Sequence, residues 1–366
     1  MQKKELIGLS VLELKDLLVS WGEPAYRGRQ VYHALYCQRQ WEFGQWTPLP
    51  LALRERLERE CQATLPQVGQ KFQSEDGTAR YLLRLADGQR IETVLMPEQR
   101  RKTICVSTQA GCAVDCKFCL TGVMGFFRNL TVTEIVGQVL LLLQDNQLSL
   151  DRRLNLVFMG MGEPLLNYSN VLAAIRLLAD PDGMALSLAR MTLSTAGVVP
   201  GIEQLGQEVA RPKLAVSLNA TTDELRNEIM PLNRKWPLAE LLRACREFPL
   251  RPREKLTFEY VLLDGVNDSG EDARRLCKLV EGIRCKVNLI GLNPGPELPF
   301  RTPPEERILR FQQTLLKKGV PAFIREPRGR DIFAACGQLK LAGAQPETPS
   351  ASILETDGAP QFPLSG

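Results

Sequence analysis

Three cysteines dominate the chemistry available to this sequence. Cys112, Cys116 and Cys119 fall within eight positions in "GCAVDCKFC", with no histidine nearby. A Cys-x-x-x-Cys-x-x-Cys spacing offers three thiolates from one compact loop, enough to ligate three irons of a 4Fe-4S cube while the fourth iron stays open to another ligand. S-adenosylmethionine (SAM) can take that position through its amino and carboxylate groups. An electron from such a cluster then breaks the sulfonium bond and releases a 5′-deoxyadenosyl radical. A structural zinc completed by Cys105 or a distant cysteine is the competing reading. Zinc loops more often pair two Cys-x-x-Cys knuckles, and the aromatic Phe118 ahead of the last cysteine also favours iron–sulfur.

Composition narrows the remaining classes. The chain has 366 residues, 44% hydrophobic and 24% charged, as expected of a soluble globular protein. No stretch approaches the eighteen or more apolar residues of a membrane span, and the opening MQKKELIGLSVLELKDLL patterns as an amphipathic helix rather than a signal peptide. A cytoplasmic protein with no membrane partner is expected. Ten cysteines are too few for a disulfide scaffold at this length, so a cluster of them reads as metal or redox chemistry. The single histidine, His33, is expected to be a partly buried helical residue, which disfavours a His-based triad or a Cys/His zinc site. A formal net charge of +4 points only weakly to a polyanionic partner, and the runs Arg100–Lys102, Arg152–Arg153 and Arg325–Arg330 are by themselves ordinary solvated faces.

The elements that must position these groups follow from local pattern. Residues 1–65 read as a helical accessory module, opened by a capping box of Ser10 and Glu13. Residues 66–97 alternate as an antiparallel β segment, with Asp76-Gly77 and Asp87-Gly88 as hairpin turns. From 98 to 341, strands "TICVST", "NLVFM", "MTLST", "KLAVSL", "LTFEYVLL" and "KVNLI" alternate with helical patterns, the first helix capped by Thr131 and Glu134. The fold class is therefore α/β, a partial (β/α)6 barrel, with the cysteine loop and "GMGEP" at the carboxyl ends of strands where such folds gather their sites. Residues 342–366 lose periodicity and read as a disordered tail.

From "PAYRGRQVYHALY" to "DIFAACGQL", the chain resembles the radical SAM adenine-C2 methyltransferases that act on 23S ribosomal RNA (rRNA) and transfer RNA (tRNA). The resemblance is carried by "IETVLMPE", "GCAVDCKFCLTGVMGFFRNL", "FMGMGEPLLN", "STAGVVPGI", "LAVSLNATTDELR", "FEYVLLDGVND" and "AACGQL", in that family's order and approximate spacing. It implies that Gly162, Glu163, Ser194, Ser217, Leu218, Asn219 and Asn293 bind SAM. It also implies that Cys336 takes a methyl group from one SAM, that a radical from a second SAM abstracts hydrogen from the thioether, and that the resulting carbon adds to adenine C2. Such a route is reasonable because C2 is electron-poor and a poor nucleophile, whereas a thiolate is a good one. Cys105 is then expected to remove the C2 proton and to release the product through a transient disulfide with Cys336, and Glu92 matches a proton-acceptor position. Tyr26, Arg27 and Arg29 are the first candidates for RNA contact in the N-terminal region. An electron donor such as flavodoxin or ferredoxin and a monomeric enzyme complete the expectation.

Three positions depart from the family pattern: Asn219 stands where histidine is usual, "LIGLNP" replaces a proline-aromatic pair, and Arg330 occupies a commonly acidic position. Methylation at adenine C8 by the same chemistry, and a noncatalytic iron–sulfur or zinc RNA-binding protein, remain the alternatives at this level.

Overall fold

The structure, a computed structural model, describes residues 3–150, 153–295 and 298–340; the expected tail at 342–366 lies outside them. Its centre is one ten-stranded sheet whose spatial order follows the chain. Strands β1 (Gln67–Gln73), β2 (Ala79–Arg84) and β3 (Arg90–Glu98) run antiparallel. β4 (Arg101–Cys105) is antiparallel to β3 and parallel to β5 (Leu154–Phe158). Parallel pairing continues through β6 (Met191–Thr195), β7 (Lys213–Ser217), β8 (Leu256–Leu262), β9 (Cys285–Gly291) and β10 (Ala322–Ile324). All six strands expected for the barrel are present, and β10 adds a seventh. The antiparallel segment is thus continuous with the barrel wall through the pairing of Val94 with Cys105.

Alternation along the strands gives the wall two different faces. On the outer face Ile104, Leu156, Phe158, Leu193, Val216, Phe258, Tyr260 and Leu289 are fully buried or nearly so. Each contributes roughly 1.5–3 kcal/mol by leaving water. The crossover helices Val132–Asp145, Tyr168–Ala179, Gly270–Leu279 and Glu305–Lys317 bring their own buried leucine, isoleucine and phenylalanine side chains to this core. The lumen face reads Cys105, Val157, Ser194, Ser217, Glu259 and Asn288, which is too polar to be a packed core.

Both expected capping boxes form. The Ser10 hydroxyl oxygen accepts from Glu13 N, and Glu13 accepts in return from Ser10 N at 2.7 Å. Thr131 and Glu134 repeat the arrangement at the helix that follows the cysteine loop. His33 lies in the helix Tyr26–Tyr36 as expected, but its side chain is exposed rather than partly buried: Val31, Tyr32, Ala34 and Leu35 take the inward positions.

Candidate active site

The cysteine loop leaves β4 through the hairpin of Gln109–Gly111 with Phe126–Asn129 and carries the short helix Leu120–Val123. Gly111 is required at the neck: its φ is +75°, and a Cβ there would stand 2.0 Å from the Gly125 carbonyl oxygen. Cys112 N donates to that same oxygen at 2.8 Å. All three cysteines pack against Val114, Phe118, Ala196, Ala220, Met230 and Leu292 in an apolar pocket distinct from the main core.

Burial raises every thiol in the loop. Cys112 is pushed up to about 12, first by burial and then by the charge of Cys119. Cys116 lies well above its ordinary value through burial and the neighbouring Cys119 and Cys112, and burial raises Cys119 as well. Three thiolates cannot coexist here without a cationic partner, and a cluster of iron would supply one. Among the described residues no group of three or more His, Cys, Asp and Glu side chains is set to grip a metal ion directly. The thiol acting on Cys105 is that of Cys336 rather than one of the loop, so Cys105 does not complete a four-sulfur set with the loop. The donor set present, three soft sulfurs and no fourth, fits a 4Fe-4S cluster with one iron open.

Beside the loop, "GMGEP" turns sharply after β5. Gly162 has φ +101°, and a Cβ would lie 2.5 Å from that of Gln109, so the backbone packs flush on the hairpin. Glu163 is buried; one carboxylate oxygen accepts from Leu165 N at 3.1 Å and the other from Ala196 N at 2.7 Å. Burial outweighs these bonds and pushes its carboxyl up to about 7. An ammonium group in contact would reverse that shift, as SAM binding requires.

Of the other expected SAM contacts, Ser194 and Ser217 face the lumen at strand ends and Leu218 is fully buried. Asn219 adopts φ +56°, and its side chain is engaged within the protein: Oδ1 accepts from Val261 N at 2.8 Å while Nδ2 points to the Met230 sulfur. It ties the end of β7 to β8. Asn293 donates through Nδ2 to the Cys336 carbonyl at 3.3 Å, leaving its buried Oδ1 without a protein partner, as a ligand-binding amide would be.

A C-terminal strap, residues 333–340, crosses the lumen and brings Cys336 to the cysteine loop. Leu120 N donates to the Gly337 carbonyl at 2.8 Å, and the Thr121 hydroxyl donates to the Leu339 carbonyl at 2.6 Å. Cys336 is reached by solvent yet ringed by protein. Burial pushes its thiol up to about 11, Glu259 adds to the rise, and Arg325 opposes it. Cys105 sits across from it, buried, with its thiol raised by burial and by Cys336. Glu92 lies on the same sheet face as Cys105, fully buried, with Oε1 on Arg80 Nη1 at 2.6 Å and Oε2 accepting from Lys340 N at 3.1 Å. It therefore fastens the distal end of the strap.

The sequence reading passed over Arg80 and also Arg226. The latter is fully buried and donates to the carbonyls of Ala196, Ser217 and Leu218 at 2.6, 3.1 and 3.0 Å, tying together the strand ends that line the site. Its only signal was its place in "LAVSLNATTDELR". In the N-terminal module Tyr26 is 55% exposed with Arg27 4.9 Å from its ring, and Arg29 is paired to Asp182 at 2.8 Å.

Comparison with known proteins bears on the family. The radical SAM superfamily matches residues 106–280, and the ribosomal RNA large subunit methyltransferase N-terminal domain matches residues 4–63. A probable dual-specificity RNA methyltransferase RlmN from Koribacter versatilis (strain Ellin345) is 53% identical over 336 residues, 87% of this chain and 96% of that protein. The dual-specificity RNA methyltransferase RlmN of Syntrophus aciditrophicus (strain SB) is 48% identical over 93% of this chain and 97% of its own. The crystal structure of a radical SAM methyltransferase from Sphaerobacter thermophilus superposes with a TM-score of 0.88 at 46% identity, covering 93% of this chain and all of that one.

Proposed function

The chain belongs to the RlmN family of dual-specificity radical SAM RNA methyltransferases, and we propose that it methylates C2 of adenine in 23S rRNA and in tRNA through a methylated Cys336. The observation that carries this reading is the strap: hydrogen bonds to Leu120 and Thr121 hold Cys336 against the cysteine loop with Cys105 opposite. A binding protein has no use for two working thiols beside a cluster loop.

Cys112, Cys116 and Cys119 would hold the 4Fe-4S cluster, while Gly162, Glu163, Ser194, Ser217, Leu218, Asn219 and Asn293 would form the SAM wall. Cluster and SAM, when bound, supply the methyl group and the radical chemistry. The chain's own residues do the rest. Cys336, as thiolate, accepts the methyl and presents it to the base. Cys105 takes the C2 proton, and the adduct's unpaired electron would return to the bound cluster. Cys105, deprotonated again, then attacks the Cys336 sulfur, the C–S bond breaks with its electron pair on the carbon, and that carbon takes a proton from solvent, freeing methylated RNA and leaving a disulfide. Because both thiols sit above their ordinary range, each step needs a proton acceptor or a compensating cation, and Arg325 is a cation that acts on Cys336. Glu92 serves in this reading as the anchor of the strap, since any proton-acceptor role there must act with Arg80 already on Oε1. No described helix is long and apolar enough to cross a membrane. We place the enzyme in the cytoplasm as a monomer, reduced by a donor such as flavodoxin or ferredoxin.

The test is mass spectrometry of adenosines after the reduced, cluster-loaded enzyme reacts with unmodified 23S rRNA fragments and tRNA. C2-methyladenosine in both is expected. Methylation at C8, or none at all with SAM turnover intact, would contradict the proposal.

A further inference from the structure

The barrel has a second mouth, at the amino ends of its parallel strands. Strand alternation puts Arg101 on the lumen side with Thr103 and Cys105, Lys213 with Ala215 and Ser217, and Lys286 with Asn288. Register steps these side chains along the wall: Lys213 pairs Thr192, two residues beyond Arg190, and Lys286 pairs Thr257, two beyond Lys255, the stagger that tilted barrel strands carry. Immediately ahead of their strands stand Arg153, Arg190, which closes the 3-10 turn Leu188–Arg190, and Lys255. Arg190 Nη1 indeed donates to Asn155 Oδ1 at 3.3 Å across the two strands. Six successive strands, β4 to β9, thus each bring one cation to a single rim.

The rim is exposed except for Lys286, which is half-buried. Arg101 pairs with Glu98 at 2.9 Å. Around Lys286 one carboxylate, Glu259, is set against Arg325, Lys213 and Arg101; burial and those cations hold its ammonium below the ordinary value. Cations at this end of an α/β barrel can complement helix carboxyl termini, but such residues belong on the outer, helix-covered face. Arg101, Lys213 and Lys286 follow the inner face. Like charges gathered on one rim repel each other unless an anion joins them. From Lys213 to Ser217 the lumen deepens by four residues, about 13 Å at about 3.3 Å per residue, a depth that an extruded nucleotide can enter.

We propose that this ring of Arg101, Arg153, Arg190, Lys213, Lys255 and Lys286 grips the RNA phosphates flanking the target adenosine, so that the base enters the lumen from the amino end and meets Cys336 from below. The inference rests on the RNA methyltransferase reading. It assigns backbone recognition to the barrel itself, separate from the N-terminal module.

Lys213→Ala/Lys255→Ala tests it, with the full-length, cluster-loaded enzyme titrated against tRNA at several salt concentrations. Each lost phosphate contact should flatten the slope of log K against log salt by about 0.7–0.9, and affinity near 0.1 M salt should fall by about tenfold or more. Iron content and SAM-dependent methylation of Cys336 without RNA report whether the upper site is intact. Lys213→Arg/Lys255→Arg, which keeps the charge, should restore both affinity and slope. An alanine variant with unchanged affinity and slope, or with only a lowered melting temperature, would overturn the ring. Wild-type protein that binds RNA through the ring yet transfers no methyl would instead overturn the proposed function and leave the ring standing.

Discussion

At the carboxyl mouth of the barrel the reactive groups are enclosed, with Cys112, Cys116 and Cys119 against Val114, Phe118 and Met230, whereas at the amino mouth the same strands present exposed arginine and lysine. The difference follows from what each end must exclude. Radical and thiolate chemistry needs a site shielded from water and side reactions, so burial there is extreme enough to raise every thiol. Recognition of a polyanion works through long-range, salt-screened attraction and needs its cations in water. One sheet serves both because strand alternation carries a continuous inner face from one mouth to the other.

The largest effects should come from the enclosed end. Replacing Cys112, Cys116 or Cys119 with Ala is expected to reduce iron and sulfide from about four each per chain to near zero, with loss of SAM cleavage and RNA methylation. RNA binding at the other mouth should survive, which filter binding with the apo-protein would show. Cys336→Ala and Cys105→Ala should then fail differently. The first keeps its cluster but never acquires the protein-bound methyl; the second acquires it, reacts and stalls as a covalent protein–RNA adduct visible on denaturing gels. Normal turnover by Cys105→Ala without adduct would remove its assigned role.

A smaller effect is expected at the anchor of the strap. Glu92→Gln keeps a hydrogen-bond acceptor but removes the carboxylate charge beside buried Arg80, so RNA methylation should slow roughly 10- to 100-fold while SAM affinity holds. Its pH–rate profile should keep the wild-type shape, because an anchor does not titrate in the reaction; loss of one limb would restore Glu92 as a proton acceptor. The smallest effect concerns Glu163. Its carboxyl, raised to about 7 by burial, is neutral below that pH and charged above it, so SAM affinity should fall by up to about tenfold per pH unit as pH drops below 7. Calorimetry on Glu163→Gln should find weaker binding that no longer varies across that range.

Much of this was legible in sequence because the signals were local. Both capping boxes and six strands rest on spacings of three or two residues, and the cysteine loop announces itself within eight positions. Long-range register was not legible. Nothing local in "IETVLMPE" says that Val94 pairs with Cys105 and so joins the antiparallel strands to the barrel, or that Glu92 meets Lys340 far along the chain. β10 was missed because "AFI", hemmed by Pro321 and "REPRGR", is too short to show a period. Arg226 reads as a solvated helix charge until its carbonyl partners are seen. The rim cations are scattered along the chain, and only the spatial order of the strands brings them to one mouth.

Passage of the methyl carbon through Cys336 can be followed with SAM whose methyl group is fully deuterated. With enzyme first cleared of unlabelled methyl, the account predicts that C2 of the RNA adenine receives a methyl whose SAM-derived carbon keeps two deuteriums, while 5′-deoxyadenosine carries the third. A methyl that arrives on C2 with all three deuteriums, alongside unlabelled 5′-deoxyadenosine, would contradict the account.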